Sequence, residues 1–152
     1  MAGEGQRMTD TLARRGLYRL VYASRATDPA AIDETLRAVV AKSIQNNRID
    51  DITGFLAAGE GRFLQVLEGP GQTVAQAYER IGADPRHDEI VLIADGPAER
   101  RLFTDWNMGQ RRLEAQDASA LSEVGLEHFT PAGLDEERAI RLLSLLGARH
   151  LR

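Results

Sequence analysis

Gln65 sits in the middle of Gly61-Arg62-Phe63-Leu64-Gln65-Val66-Leu67-Glu68-Gly69-Pro70, an apolar run bounded by glycines. Strand alternation puts Phe63, Gln65 and Leu67 on one face and Leu64 and Val66 on the other. An amide flanked by apolar residues on its own face is expected to be buried, and without hydrogen-bond partners it would cost roughly 1–3 kcal/mol. Tyr22 alternates onto one face with Tyr18, Leu20 and Ser24, and a packed tyrosine needs a partner for its hydroxyl. Asn46 and Asn47 follow an apolar helical stripe, where an asparagine serves equally as a C-terminal cap or as a binding amide. Arg80 and Asp84 stand four apart, the spacing of an exposed ion pair worth under about 1 kcal/mol. His87 with Asp84 or Asp88 has the residue types of an acid–base pair, but no serine or cysteine nucleophile motif accompanies it. Trp106 and Met108 alternate onto one face of a further apolar run, as ordinary core residues also do.

Composition removes several alternatives. With 152 residues the chain is read as one domain with a small appendage. The absence of cysteine excludes disulfides, thiolate metal sites, thiol catalysis and cysteinyl-flavin linkage, and fits a cytoplasmic location. A net charge of −4 argues against general nucleic-acid binding. No apolar run reaches the roughly 20 residues of a membrane span. Residues 1–16 are polar and read as a flexible leader, neither signal peptide nor anchor.

These residues need elements to hold them. Leu17 to Arg25 reads as a strand. Thr27-Asp28-Pro29 reads as a helix start, with Asp28 as N-cap. Ile32, Leu36, Val39, Val40, Ser43, Ile44 and Asn47 then form the inward stripe, and Asn46-Asn47 close the helix. Ile52 to Ala58 and the Gln65 run make a hairpin around Gly59-Glu60-Gly61. Thr73 is expected to cap a second helix carrying Val74, Ala77, Tyr78 and Ile81 inward. Glu89 to Ala94 and Leu102 to Met108 complete the strands, and Asp135 to Arg149 has an amphipathic stripe of Ala139, Leu142, Leu143 and Leu146. The order predicts an α+β, ferredoxin-like βαββαβ(β) sheet with two helices on one face and a C-terminal helical extension on the other. Val21, Ala23, Leu64 and Val66 are too apolar for water, so the extension or a second copy must cover them.

At this point the chain resembles the BLUF domain, the blue-light sensor using FAD. Six segments carry the resemblance: Leu20-Val21-Tyr22-Ala23-Ser24, Ser43-Ile44-Gln45-Asn46-Asn47, Ile52-Thr53-Gly54, Phe63-Leu64-Gln65-Val66-Leu67-Glu68-Gly69, Asp84-Pro85-Arg86-His87, and Arg101-Leu102-Phe103-Thr104-Asp105-Trp106-Asn107-Met108-Gly109. Each is weak alone; in this order they are specific. The resemblance implies a flavin-binding domain over 17–112 and a helical extension over 113–152. It implies FAD between the two helices, Tyr22 and Gln65 as the photoactive pair, and Asn47 at the C4-carbonyl region of the ring. It further implies Asn46, Arg80, Ile81, Asp84 and His87 along the ring or ribityl chain, and Trp106 and Met108 as the relay beside Gln65.

The resemblance also implies a mechanism. Excited flavin takes an electron and then a proton from Tyr22. On return, the Gln65 side chain is left rotated or tautomerised, and a new bond to the flavin shifts absorption to the red. The residues after the sensor match no cyclase or phosphodiesterase motif, so a non-enzymatic sensor is expected, with an unknown protein partner and a homo-oligomer, dimer first. A ferredoxin-like RNA-binding domain would need stacking aromatics on the open sheet face and a basic surface. A flavin-binding or structural module without a photocycle is the remaining alternative.

Overall fold

The computed structural model of the protein describes residues 16–104 and 107–150, the side chains of Arg149 and His150 excepted. The leader therefore lies outside the described residues, as do Asp105 and Trp106. Five strands form one sheet in the order β4-β1-β3-β2-β5. They are β1 (Leu17–Ala26), β2 (Thr53–Gly59), β3 (Arg62–Pro70), β4 (His87–Pro97) and β5 (Gly109–Arg112). Helices α1 (Ile32–Asp50) and α2 (Gly71–Gly82) follow β1 and β3, while α3 (Ala118–Glu123) and α4 (Glu136–His150) belong to the C-terminal extension. β1 runs antiparallel to both β3 and β4, β2 antiparallel to β3, and β5 parallel to β2. This is the expected α+β, ferredoxin-like plan with one added strand.

The period-2 pattern of the central strands makes two cores, one on each face. On the helix side, Leu20, Tyr22, Leu56, Phe63 and Leu67 pack with Ile32, Leu36 and Val40 of α1 and Val74 and Ala77 of α2. On the other side, Val21, Ala23, Leu64 and Val66 pack under Leu121 of α3 and Ala139, Leu142, Leu143 and Leu146 of α4. The chain thus covers its own second face, the first of the two coverings anticipated above.

Several local expectations are corrected. α1 does not stop at Asn46-Asn47. It runs one further turn to Asp50, and the left-handed residue is Asp51 (φ 57°), whose N–H bonds the Asn47 carbonyl. Asn47 stays helical because its side chain has a tertiary partner, the Asn107 carbonyl at 2.9 Å. Ile44, expected in the inward stripe, is exposed. Asp28 makes no side-chain cap. Pro70 stands at the N-cap of α2, and Thr73, in the first turn, donates its hydroxyl to the Pro70 and Asp50 carbonyls at 3.0 Å each.

The largest correction concerns the last strand. Of the expected strand Leu102 to Met108, none of the described residues is in a strand; β5 begins at Gly109. The Glu68 carboxylate takes the backbone N–H groups of Leu102 and Phe103, donors that a sheet ladder would have used. Arg101 in turn donates to the carbonyls of Asp51 (2.8 Å) and Glu68 (3.1 Å) and to the Thr53 hydroxyl (2.9 Å). Its described residues therefore belong to a connection pinned by side chains rather than to a ladder.

Besides the core packing, two carboxylates help fasten the extension to the sheet. Asp117, fully buried, accepts from Arg111 of β5 at 3.1 Å and from the Glu114 N–H at 2.9 Å. Glu60, at the β2–β3 turn where Glu60 and Gly61 both have positive φ, accepts from the Phe129 N–H and from His128. The Phe129 bond holds the Glu60 carboxyl below its usual range, with His128 adding to the effect.

Two predictions follow from this packing. Leu143→Ala should destabilise the fold by about 2–5 kcal/mol, read as a lowered urea midpoint, because Leu143 is wholly enclosed in the extension-side core. Because the folded Glu60 carboxyl titrates below its unfolded value, its hold on Phe129 is complete above the ordinary carboxylate range of about 4 and is lost as pH falls through the depressed value. The exchange protection factor of the Phe129 amide should fall over that window, and Glu60→Gln should remove the pH dependence.

Candidate functional site

A crevice opens on the helix side of the sheet between α1 and α2. It has two lobes, with about 520 Å³ and 340 Å³ of empty space including open solvent. Both are bordered by Val39, Ile81, Asp84 and Arg86. Asn46, Asn47, Gln65 and Arg80 line the first lobe, and Tyr22 and His87 the second. Every described residue expected at the site therefore borders this crevice, except Met108, which stands behind Gln65.

The centre is a buried chain of contacts. Tyr22 and Gln65 are direct partners in the β1–β3 register. Equal strand parity sends both side chains to the helix side, where the Tyr22 hydroxyl donates to Gln65 Oε1. Gln65 Nε2 donates to Met108 Sδ at 3.3 Å. Both ends of the amide are thus satisfied inside a core that admits neither to water. Burial pushes the Tyr22 phenol far above the usual tyrosine range, and the neighbouring Tyr78 and Asp84 push it in the same direction.

Gly54 makes room for Met108. A Cβ at that position would stand 2.1 Å from the Val66 carbonyl oxygen and 3.3 Å from Met108 Cε, so β2 can approach β3 here only without a side chain. Asn107 is held as well: its carbonyl accepts from Asn47, and its Nδ2 donates to the Ile52 carbonyl at 3.2 Å.

His87 stands edge-on to the Tyr22 ring, with centroids 6.1 Å apart. Its Nε2 lies 2.6 Å from the Ile81 carbonyl, which can only accept, so that nitrogen carries a hydrogen. Nδ1 lies 2.8 Å from the Ser24 hydroxyl. The ring is therefore a strut between β1, β4 and the end of α2. Its use as a catalytic base with Asp84 or Asp88 has no support, since Asp84 bonds Arg86 and Asp88 bonds Arg25. The expected Arg80–Asp84 pair is also replaced. Arg80 reaches Asp50 of α1 at 3.4 Å, across the mouth of the crevice. Asp84 accepts from Arg86 at 2.6 Å, which holds its carboxyl below the usual range.

Sequence reasoning quoted Arg86, Gly54 and Glu68 inside motifs without giving them roles. For Glu68 a signal existed: alternation places a carboxylate on the buried Leu64–Val66 face, which demands a partner. For Arg86 and Gly54 no comparable signal stood in the sequence.

The lining suits a flavin nucleotide. Val39, Leu67, Ala77 and Ile81 give apolar walls for the faces of a flat ring. The amides of Asn46, Asn47 and Gln65 supply donors and acceptors for its polar edge. Lys42, Arg80 and Arg86 are cationic side chains on its border that an anionic tail could use, Arg80 and Arg86 exchanging their present partners Asp50 and Asp84.

Comparison with known proteins agrees with this chemistry. The sequence matches the family described as sensors of blue light using FAD over residues 17–109. It is 33% identical over 101 residues to the photoactivated adenylate cyclase subunit beta of Euglena gracilis, a match covering 65% of this chain and 12% of that relative. The chain thus spans about 12% of the length of that curated relative. Among solved structures, BlsA in its photo-activated state superposes with a TM-score of 0.78 over 86% of this chain and 94% of the other; at 24% identity this likeness concerns the fold. The dark state of BlrB, a BLUF protein, superposes with a TM-score of 0.69 at 26% identity, over 89% of this chain and 98% of the other. The family match begins at the first residue of β1, ends at the first residue of β5, and encloses every residue described at the crevice; the chain belongs to the BLUF family of sensors of blue light using FAD.

Proposed function

We propose that Tyr22 and Gln65 are the light-responsive pair of this sensor, and that Met108 passes their rearrangement to β5 and the C-terminal extension. The observation that carries the proposal is the buried sequence Tyr22 hydroxyl, Gln65 amide, Met108 sulfur, bordered by the crevice. FAD, when bound, supplies blue-light absorption and, once excited, a strong one-electron oxidant. Asn46, Asn47, Arg80, Ile81, Asp84 and His87 line the space in which it would be held.

The phenol of Tyr22 is a poor acid in its buried setting, so its proton does not leave spontaneously. Loss of an electron from the ring makes the hydroxyl strongly acidic, and the proton then moves along the existing bond toward Gln65. The return of electron and proton restores Tyr22 but not the orientation of the amide. A turned amide faces Nε2 to the Tyr22 oxygen, which then accepts, and Oε1 to Met108 Sδ. The N–H···S bond is thereby lost and two lone pairs are brought together. Gln65 itself fits either way because its two ends are nearly the same size; Met108 must move.

Met108 adjoins β5, and β5 reaches the extension through Arg111 and Asp117. That order of contacts supports output through residues 113–152, with 17–112 as the sensing unit. No helix among the described residues is long and apolar enough to cross a membrane. We further propose that the chain is cytoplasmic, is not itself an enzyme, and acts through a protein partner or a change of oligomer. Trp106, the other expected relay residue, lies outside the described residues and keeps that role as a proposal.

Absorption spectra in the dark, under blue light and during dark recovery test the reading. A reversible red shift is expected. Tyr22→Phe and Gln65→Leu should each retain flavin and lose the shift; a normal photocycle in either removes the pair from the mechanism. Met108→Ala should keep the shift but alter dark recovery by roughly two- to thirtyfold, the range open to a residue that couples without touching the ligand.

A further inference from the structure

We infer that Glu68 is a positioning residue that fixes the upstream end of the β4–β5 connection, so that displacement of Met108 is directed into β5 and the extension. The inference rests on the Tyr22–Gln65–Met108 reading above.

Glu68 lies three residues after Gln65 on β3 and therefore points to the opposite face of the sheet. It is fully buried. Its carboxylate accepts from the N–H of Leu102 at 3.0 Å, from the N–H of Phe103 at 2.7 Å, and from Arg19 Nε at 2.8 Å. Arg19 is its direct cross-strand partner on β1. A buried carboxylate with this many donors is costly to move, because any shift that breaks a bond leaves charge uncompensated in the core. Phe103 is seated beyond it in the extension-side core, its ring centroid 6.4 Å from that of Phe55.

One strand therefore grips one connection at two points from two faces. Gln65 holds Met108 on the flavin side, and Glu68 holds residues 102 and 103 on the extension side. The first grip is a neutral contact to sulfur, which an amide turn breaks. The second is a charge-assisted set that the turn does not touch. Between a more firmly and a less firmly held side, motion goes to the less firmly held one. Upstream of Met108 the connection is held at Asn107 as well as at residues 102 and 103; downstream, Gly109–Arg112 is paired along one edge only, to β2, and leads through Arg111 to the second fully buried carboxylate among the described residues, Asp117.

Glu68→Gln keeps the shape but places an amide N–H₂ where a carboxylate oxygen now meets a donor. The test is light-minus-dark hydrogen exchange on the flavin-loaded full chain, with recovery followed by absorbance. In the wild type, light-induced exchange should rise in 109–123 and not in 98–104. In Glu68→Gln the red shift should persist, the exchange difference should move toward 98–104, and recovery should change by roughly two- to thirtyfold. Arg101→Gln, which releases the same end without disturbing a buried charge, should act in the same direction. It carries the test if Glu68→Gln does not fold.

An exchange difference distributed as in the wild type overturns the inference, whatever the recovery rate. So does loss of the red shift in a folded, flavin-loaded Glu68→Gln, since that would place its influence in the pocket. Failure of the wild type to show a red shift would instead overturn the photoreceptor reading.

Discussion

The register of β1 against β3 is the constraint on which the rest depends. Nine pairs run from Leu17 opposite Pro70 to Arg25 opposite Arg62, with Tyr22 opposite Gln65 near the middle. Because side chains alternate, a slip of one residue would send one member of the pair through the sheet and bring Arg19 or Glu68 into the wrong core. The register is held from both sides. Leu20 and Leu67 face the helices, Val21 and Val66 face the extension, and Arg19 and Glu68 form a cross-strand ion pair. The pair proposed to respond to light is therefore built on two interior, doubly paired strands. A rigid frame of this kind confines the effect of an amide turn to the contacts the amide itself makes.

The parts proposed to change lie at the periphery of that frame. The described residues of the β4–β5 connection make no ladder of their own; side chains hold them at discrete points: Asn47 from α1, Gln65 and Glu68 from β3, and Arg101 turned back onto the end of α1. Discrete anchors differ from a ladder in one respect. A ladder yields everywhere at once, whereas a connection pinned at points can release one and keep the others.

Much of this was legible in the chain because it follows from alternation. The two faces of β1 and β3, the burial of Gln65, the inward Tyr22 and the stripe of α4 all come from periods of 2 and 3.6. What was not legible depended on tertiary partners. Asn47 looks like a helix end until Asn107 is available to its side chain. Leu102 to Met108 looks like a strand until Glu68 takes its backbone donors. Arg80 looks paired with Asp84 because four-residue spacing is local; across the crevice, Asp50 comes closer, and Arg86 claims Asp84. Each error has the same origin: a polar side chain chose a distant partner over the near one that spacing offered.

The same bias explains why Glu68 and Asp117 escaped attention while Gln65 did not. An amide in an apolar run invites a ligand as its explanation, whereas a carboxylate there reads as a surface charge. Burial reverses that order. An amide can be satisfied by one neighbour at each end, as Gln65 is, but a buried carboxylate must gather donors from several elements at once. Glu68 gathers β1 and the β4–β5 connection; Asp117 gathers β5 and the start of the extension. The two carboxylates therefore bracket the path that leads from the pocket to α3 and α4. If the light-sensitive change is the proposed amide turn, how far it travels is set less by the pocket than by which of these charged anchors stays fixed.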